Sequence, residues 1–192
     1  MRTASVTRTT KETQITLSLC LEGGEIQIDT GIGFFDHMLT ALAFYAGFGL
    51  SLTARGDLHV DPHHTVEDTG IVLGQALREA LGDKRGIRRF GAVYIPMDEA
   101  LCHTVLDFSG RAYLFFEAEM PQAVIGAYDA CLTEEFMRAV ACNAGITLHI
   151  SAIRGKNSHH ITEALFKSLG AAMKEAVFVT GDSVTSTKGV LA

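Results

Sequence analysis

The sequence predicts an α+β protein built from two like halves, each a mostly antiparallel sheet with its helices packed on one face. Three observations predict it. First, the chain repeats itself: HHTVEDTGIVLGQALREAL, from His63, lies over HHITEALFKSLGAAMKEAV, from His159, at an offset of 96. At an offset of 98, DHMLTALAFYAGFGL lies over EEFMRAVACNAGITL. Second, strand-period and helix-period segments follow one another in the same order in both copies. Third, Gly82 stops the helix of the first copy, which divides a single 192-residue domain into halves of about 1–88 and 89–192.

The elements can be justified in order. TQITLSLCL alternates Ile15, Leu17, Leu19 and Leu21 with polar or smaller residues and reads as a half-buried strand. GEIQIDT follows the Gly23-Gly24 turn and reads as its hairpin partner. A helix from about Asp36 turns Leu39, Leu42 and Ala43 inward, and a short strand, GLSLTAR, follows. The helix that carries His63 and His64 closes the half, with Leu73, Leu77, Ala80 and Leu81 as its inward stripe. In the second half, ALCHTVLDFSG and RAYLFFEAEM read as strand, turn and strand around Ser109-Gly110. After them come the EEFMRAVACNAG helix, the strand ITLHISAI and a helix with the stripe Leu169, Met173, Ala176 and Val177.

Composition narrows the function. Apolar residues make up 47% and charged residues 20%, the balance of a water-soluble globular chain. A net charge of −6 argues against a broad nucleic-acid surface but leaves room for a local basic pocket. No apolar run is long enough to span a membrane, and the opening MRTASVTRTTKETQ has no apolar core of a secretory signal. Cys20, Cys102, Cys131 and Cys142 form no C-x-x-C pair and are expected as reduced core residues of a cytoplasmic protein.

The chemistry lies in a motif written twice, His-His-x-x-Glu. On a helix each residue turns roughly 100° from the last, so His63 and Glu67 share a face, as do His159 and Glu163. His64 and His160 point elsewhere and suit a different ion. Two metal sites are therefore expected: His159 and Glu163 with His64, and His63 and Glu67 with His160. His37 on the first helix and Glu135 at its repeat position would complete them unequally. Imidazole and carboxylate without thiolate suit Mn²⁺, Fe²⁺ or Zn²⁺, and Asp36 or Asp68 is expected to orient a ligating ring. His59, His103 and His149 fall on expected strands and read as packing residues. GIGFF is glycine-rich but lacks the Lys-Ser of a phosphate loop. Arg89, Arg111, Lys167 and Lys188, with Ser186, suggest a small phosphate pocket in an otherwise acidic chain.

TKET, GFFDHML, HVDPHHTVEDTG, RFG…PMDEAL, DFSGR, LHI…GKNSHHITEALFK and STKGVL occur in this order across essentially the whole chain. With these motifs the chain resembles the imidazoleglycerol-phosphate dehydratase family of histidine biosynthesis. The resemblance implies two ribosomal-protein-S5-domain-2-like halves with four-stranded sheets. It implies two Mn²⁺ ions per active site and a homo-oligomer of 24 subunits with sites between subunits. The metal positions it carries over are His37, His63, His64, Glu67, His159, His160 and Glu163, with Glu135 where some members have His. The implied reaction is loss of water from imidazole glycerol phosphate to give imidazole acetol phosphate, with the ring held as imidazolate by the metals. The resemblance makes Glu12 the carboxylate that takes the carbon-bound proton, beside His64, Glu67, His160 and Glu163, and gives Arg89, Arg111, Lys167, Ser186 and Lys188 the phosphate. The residues alone leave open a binuclear metallohydrolase acting on a phosphorylated metabolite.

Overall fold

In a computed structural model that describes residues 1–191, the chain forms ten strands and four helices. The first half comprises β1 (Thr3–Thr9), β2 (Thr13–Cys20), β3 (Ile26–Asp29), α1 (Gly33–Ala46), β4 (Gly49–Gly56) and α2 (His63–Leu81). The second comprises β5 (Phe90–Met97), β6 (Ala100–Asp107), β7 (Tyr113–Glu117), β8 (Val124–Ile125), β9 (Tyr128–Asp129), α3 (Leu132–Ala144), β10 (Thr147–Arg154) and α4 (Ser158–Val177). The two main sheets share one topology, β1-β2-β4-β3 and β5-β6-β10-β7. In each, two pairings are antiparallel and the last is parallel. The α+β duplication expected from the repeat is therefore present.

The hairpin partners differ from expectation. GEIQIDT does not pair back on β2: both edges of β2 are already taken, by β1 and β4, so β3 joins the far side of β4 in parallel. β7 likewise joins β10 rather than β6, because β5 and β10 flank β6. The true hairpins are β1–β2 and β5–β6. β1 escapes hydropathy because its inward residues, Ala4, Val6 and Arg8, are small, polar or only half-buried. The β8–β9 hairpin has no counterpart in the first half and delivers Tyr128, fully buried, into the core against Phe35.

The expected inward stripes of α2 and α4 are all buried, and one continuous apolar cluster runs through both halves. Helices pack across the repeat rather than within it: α1 against α4 and α2 against α3. Gly74 and Gly170, which align in the two copies, lie at these crossings. A Cβ on Gly170 would stand 2.4 Å from the Leu42 carbonyl oxygen, and one on Gly74 2.9 Å from that of Val140. Gly82 caps α2, and the chain after α4 returns along the junction between the halves. Ile87 bridges Val179, Gly86 donates to the Ser183 carbonyl (3.0 Å), and the Thr185 hydroxyl donates to the Ile87 carbonyl (2.9 Å).

A methyl group at Gly170 must push α1 from α4. Overpacking costs about 1–3 kcal/mol, while Ala gains about 1 kcal/mol of helix propensity, so Gly170→Ala should lose up to about 2 kcal/mol net. Gly33→Ala, where an added Cβ meets nothing within 4 Å, should be neutral or slightly stabilising. Urea unfolding of both variants without metal measures the difference.

Candidate active site

The start of each motif helix is fixed by an Asx side chain two residues ahead of the first histidine. Asp61 accepts the His63 N–H (2.7 Å) and Asn157 accepts the His159 N–H (2.9 Å). The helix crossing then brings α1 of one half to α4 of the other. His37, His159 and Glu163 converge: Nε2 of His37 lies 3.4 Å, and Nε2 of His159 3.3 Å, from the same Oε2 of Glu163. Potential ligand atoms of all three lie within 4.8 Å of one another. Phe34 braces the cluster, its ring edge-on to His159 at 4.9 Å. Two ligands held about 2.0–2.2 Å from one ion are at most about 4.4 Å apart, so these contacts to Glu163 fit a shared cation of the imidazole-and-carboxylate class.

Glu163 is nearly buried. Burial alone would raise its carboxyl, but the Lys167 hydrogen bond and charge, with His37 nearby, outweigh that and leave it below the ordinary carboxylate value. Lys167 Nζ sits 2.7 Å from Oε1, leaving Oε2 turned to the imidazoles. Lys167 therefore belongs to the His37–His159–Glu163 cluster and not to the cavity that gathers the other expected phosphate residues.

In the other half, His63 and Glu67 face each other at 3.6 Å, half-exposed. Glu135 is not drawn to them: it lies 3.8 Å from Arg138, which also binds Glu134. The expected exchange of His64 and His160 between the two sets does not form within one chain. His37 takes the place expected for His64. The roughly 100° step along a helix carries His64 and His160 off the faces of their neighbours. His64 Nδ1 meets both oxygens of Asp57 (3.1 and 3.2 Å), and its Nε2 is 3.8 Å from Glu12. His160 Nδ1 meets Glu99 (2.7 Å), and its Nε2 is 3.7 Å from Asp98. These hydrogen bonds, Asp57 for one ring and Glu99 for the other, hold both imidazoles above their ordinary pKa.

Arg89, Arg111, Ser186 and Lys188 line one cavity of about 680 Å³. Arg89 builds its wall, gripping Asp107 with two nitrogens (2.7 and 3.0 Å) and the Thr185 carbonyl with a third (2.8 Å). Among the described residues, Arg111 and Lys188 have no ion-pair partner and supply the cavity with uncompensated positive charge.

The imidazoleglycerol-phosphate dehydratase family model matches residues 30–173, which hold the whole His37–His159–Glu163 cluster. The chain belongs to the imidazoleglycerol-phosphate dehydratase family. It is 55% identical to the imidazoleglycerol-phosphate dehydratase of Lacticaseibacillus casei, with 100% of both chains covered. It is 56% identical to that of Lactococcus lactis subsp. cremoris, covering 100% of this chain and 98% of the relative. The crystal structure of the dehydratase from Staphylococcus aureus superimposes with a TM-score of 0.86 at 43% identity, over 93% of this chain and 99% of that one. The Pyrococcus furiosus structure, in complex with (S)-C348, gives 0.85 at 40%, over 97% and 100%. Membership makes the chain a hydro-lyase of histidine biosynthesis.

Other expectations resolve differently in this family member. Asp36 accepts from the Thr30 amide (2.8 Å) and Asp68 from Arg8 (2.9 Å) and the Thr13 hydroxyl, rather than from a histidine ring. The carboxylates bonded to His64 and His160 are Asp57 and Glu99, which the sequence did not single out. The cue for Asp57 was its place in the loop that leads into HVDPHH; Glu99 lies 61 positions from its partner and offered none. His103 stacks on Tyr94 and His149 lies beside Tyr113 and Phe115, as packing residues, while His59 sits in an exposed turn rather than a strand. Of the cysteines only Cys102 is fully buried; Cys131 and Cys142 are exposed, and all four are unpaired. Among the described residues, no helix is long and apolar enough to cross a membrane.

Lys167→Met should leave the Glu163 carboxylate without its cation and cost the metal-free protein about 1–3 kcal/mol at neutral pH. Because Lys167 lowers the Glu163 pKa, its contribution is fully present above the ordinary value of 4.5 and is lost as pH falls through the depressed one. Unfolding curves of wild type and variant should therefore differ most at neutral pH and converge in acid.

Proposed function

We propose that the chain dehydrates imidazole glycerol phosphate to imidazole acetol phosphate with two Mn²⁺ ions per active site, as a cytoplasmic homo-oligomer of 24 subunits. The observation that carries this reading is the convergence of His37, His159 and Glu163 on one point, with the matching His63–Glu67 pair on the equivalent helix of the other half. The donor set fits Mn²⁺: imidazole nitrogen and carboxylate oxygen, with no thiolate among them. His37, His63, His64, Glu67, His159, His160 and Glu163 would hold the ions, with Glu135 the least engaged of the expected ligands. When bound, such ions supply Lewis-acid polarisation and a template for the imidazole ring.

The chain's own residues supply the rest. Arg111 and Lys188, with Ser186, offer charge and a hydroxyl to the phosphate, and Arg89 keeps the cavity wall in place. Glu12 stands at the β1–β2 turn, exposed and within 3.8 Å of His64, where a carboxylate can accept the proton from the carbon next to the one that loses its hydroxyl. The hydroxyl leaves as hydroxide, the electrons of the broken C–H bond form the carbon–carbon double bond, and the hydroxide with the proton taken by Glu12 makes up the water that is lost. The enol then becomes the ketone. Within one chain, Nε2 of His64 and of His160 turn away from the three-residue cluster, which suits donation to the cluster of a second copy and hence a site shared between subunits.

With Mn²⁺ supplied, the protein should convert imidazole glycerol phosphate to a ketone without releasing phosphate. Chelation should abolish turnover and lower the mass seen by light scattering. Phosphate release without ketone would favour the hydrolase reading. A chelated protein of unchanged mass would remove metal from the assembly.

The cavity and the cluster should separate cleanly by mutation. Arg111→Ala should lose about 1.5–3 kcal/mol, the range for a hydrogen bond to a charged group, mostly as weaker substrate binding and with metal content intact. Glu163→Gln should lose metal and rate together. Metal analysis and steady-state kinetics on both variants make the comparison.

A further inference from the structure

We infer that Asp57 and Glu99 are positioning residues: each keeps a proton on Nδ1 of one histidine, His64 or His160, and so leaves that ring's Nε2 bare to face an ion. The inference rests on the metal-dependent reading above. An ionised carboxylate can only accept hydrogen bonds. The nitrogen it contacts must therefore carry the hydrogen, and in the neutral ring the other nitrogen must carry the lone pair. Both rings show this arrangement, His64 through Asp57 at 3.1 and 3.2 Å and His160 through Glu99 at 2.7 Å. On the opposite side, Nε2 of His64 faces Glu12 at 3.8 Å and Nε2 of His160 faces Asp98 at 3.7 Å, both beyond hydrogen-bond distance.

Each positioning residue is itself held, Asp57 through its backbone and Glu99 through its carboxylate. The Asp57 amide donates to the Glu12 carbonyl (3.1 Å), and its own carbonyl accepts from Val60 (2.8 Å). Glu99 Oε1 accepts the amides of Lys156 (3.0 Å) and Asn157 (2.9 Å), while Oε2 holds His160. One carboxylate thus fixes both the approach to α4 and the ring on its first turn.

The two halves reach this result from different places. In the second, the positioning group comes from the β5–β6 hairpin. In the first, it comes from the loop after β4, and the β1–β2 hairpin carries Glu12, which stands on the Nε2 side of His64 instead. The loop after β10 reads Gly155-Lys156 and has no carboxylate to offer. With Asp57 on Nδ1, Glu12 is not needed to hold that ring.

The test uses Glu99→Gln and Asp57→Asn. In Glu99→Gln the new side chain is nearly isosteric and its carbonyl oxygen can still accept the two amides, but its NH₂ donates to Nδ1 and drives the ring proton to Nε2. Long-range ¹H–¹⁵N spectra of the histidine-labelled, metal-free protein, recorded at alkaline pH where the rings are neutral, read the tautomers directly. Wild type should show Nδ1–H on His64 and His160, with His160 switching in Glu99→Gln and His64 in Asp57→Asn. Mn²⁺ titration should show one ion bound about ten- to a hundredfold more weakly in each variant, the usual effect of losing a partner that orients a ligand. Wild-type rings with Nε2–H, unchanged tautomers in the variants, or two ions bound at wild-type strength by both variants would overturn the inference. A wild type with the expected tautomers that binds no Mn²⁺ would overturn the metal reading instead. The wild-type spectrum decides the tautomers even if a variant fails to fold.

Discussion

The close approach of α1 to α4, and of α2 to α3, is the constraint on which the site depends. His37 belongs to one half and His159 and Glu163 to the other, so no set of three exists until the two helices lie against each other. At the α1–α4 crossing the permitted distance is fixed by backbone and not by side chains. At Gly170 the neighbouring helix comes so near that a single methyl group would meet the Leu42 carbonyl. Core packing elsewhere tolerates exchange of one apolar residue for another of similar volume. This crossing does not, because the partner is a carbonyl that cannot turn aside without breaking its own helix.

Charge is arranged in two separate neighbourhoods. Around the histidines, carboxylates predominate: Glu163, Glu67, Glu12, Asp57, Asp98 and Glu99 all lie within reach of a ring nitrogen. Such a cluster is self-repelling and attracts cations. Lys167 is a basic group admitted to it, and of the two oxygens of Glu163 it engages the one that the imidazoles leave free. The cavity of Arg111 and Lys188 has the opposite sign and is built where the chain's last segment meets the junction of the halves.

Much of this was legible in the sequence because duplication doubles the signal. A single His-His pair is commonly a surface accident, whereas two copies at one offset, each with Glu four residues after its first histidine, fixed the two motif helices and their inward stripes. The strands of the motif half were legible where inward residues were large, as in β2, and lost where they were Ala4, Val6 and Arg8, as in β1. Strand order was misread because a Gly-Gly turn suggests a hairpin locally, while the choice of edge depends on strands far away in sequence. Spacing along a helix told correctly that His64 and His160 leave the faces of His63 and His159. It could not tell where they go, since Asp57, Glu99 and Glu12 reach them from loops. The Lys167–Glu163 pair was legible in the same way, since four residues beyond Glu163 the lysine has a carboxylate on its own helix face.

The crosswise pairing, α1 with α4 and α2 with α3, is the pattern that two separate half-chains would make about a twofold axis, each lending its first helix to the other's second. Joining them through the short junction after Gly82 turns that association into an intramolecular one, with an effective concentration no free half could match. It also lifts a restriction. Identical halves must carry the same residue at both symmetry-related positions, so a change that suits one site is imposed on the other. A single continuous chain can hold His37 at one position and Glu135 at its counterpart, and can recruit its positioning carboxylates from two unrelated loops. Linkage thus lets the two motif helices differ from each other while keeping them in one shape.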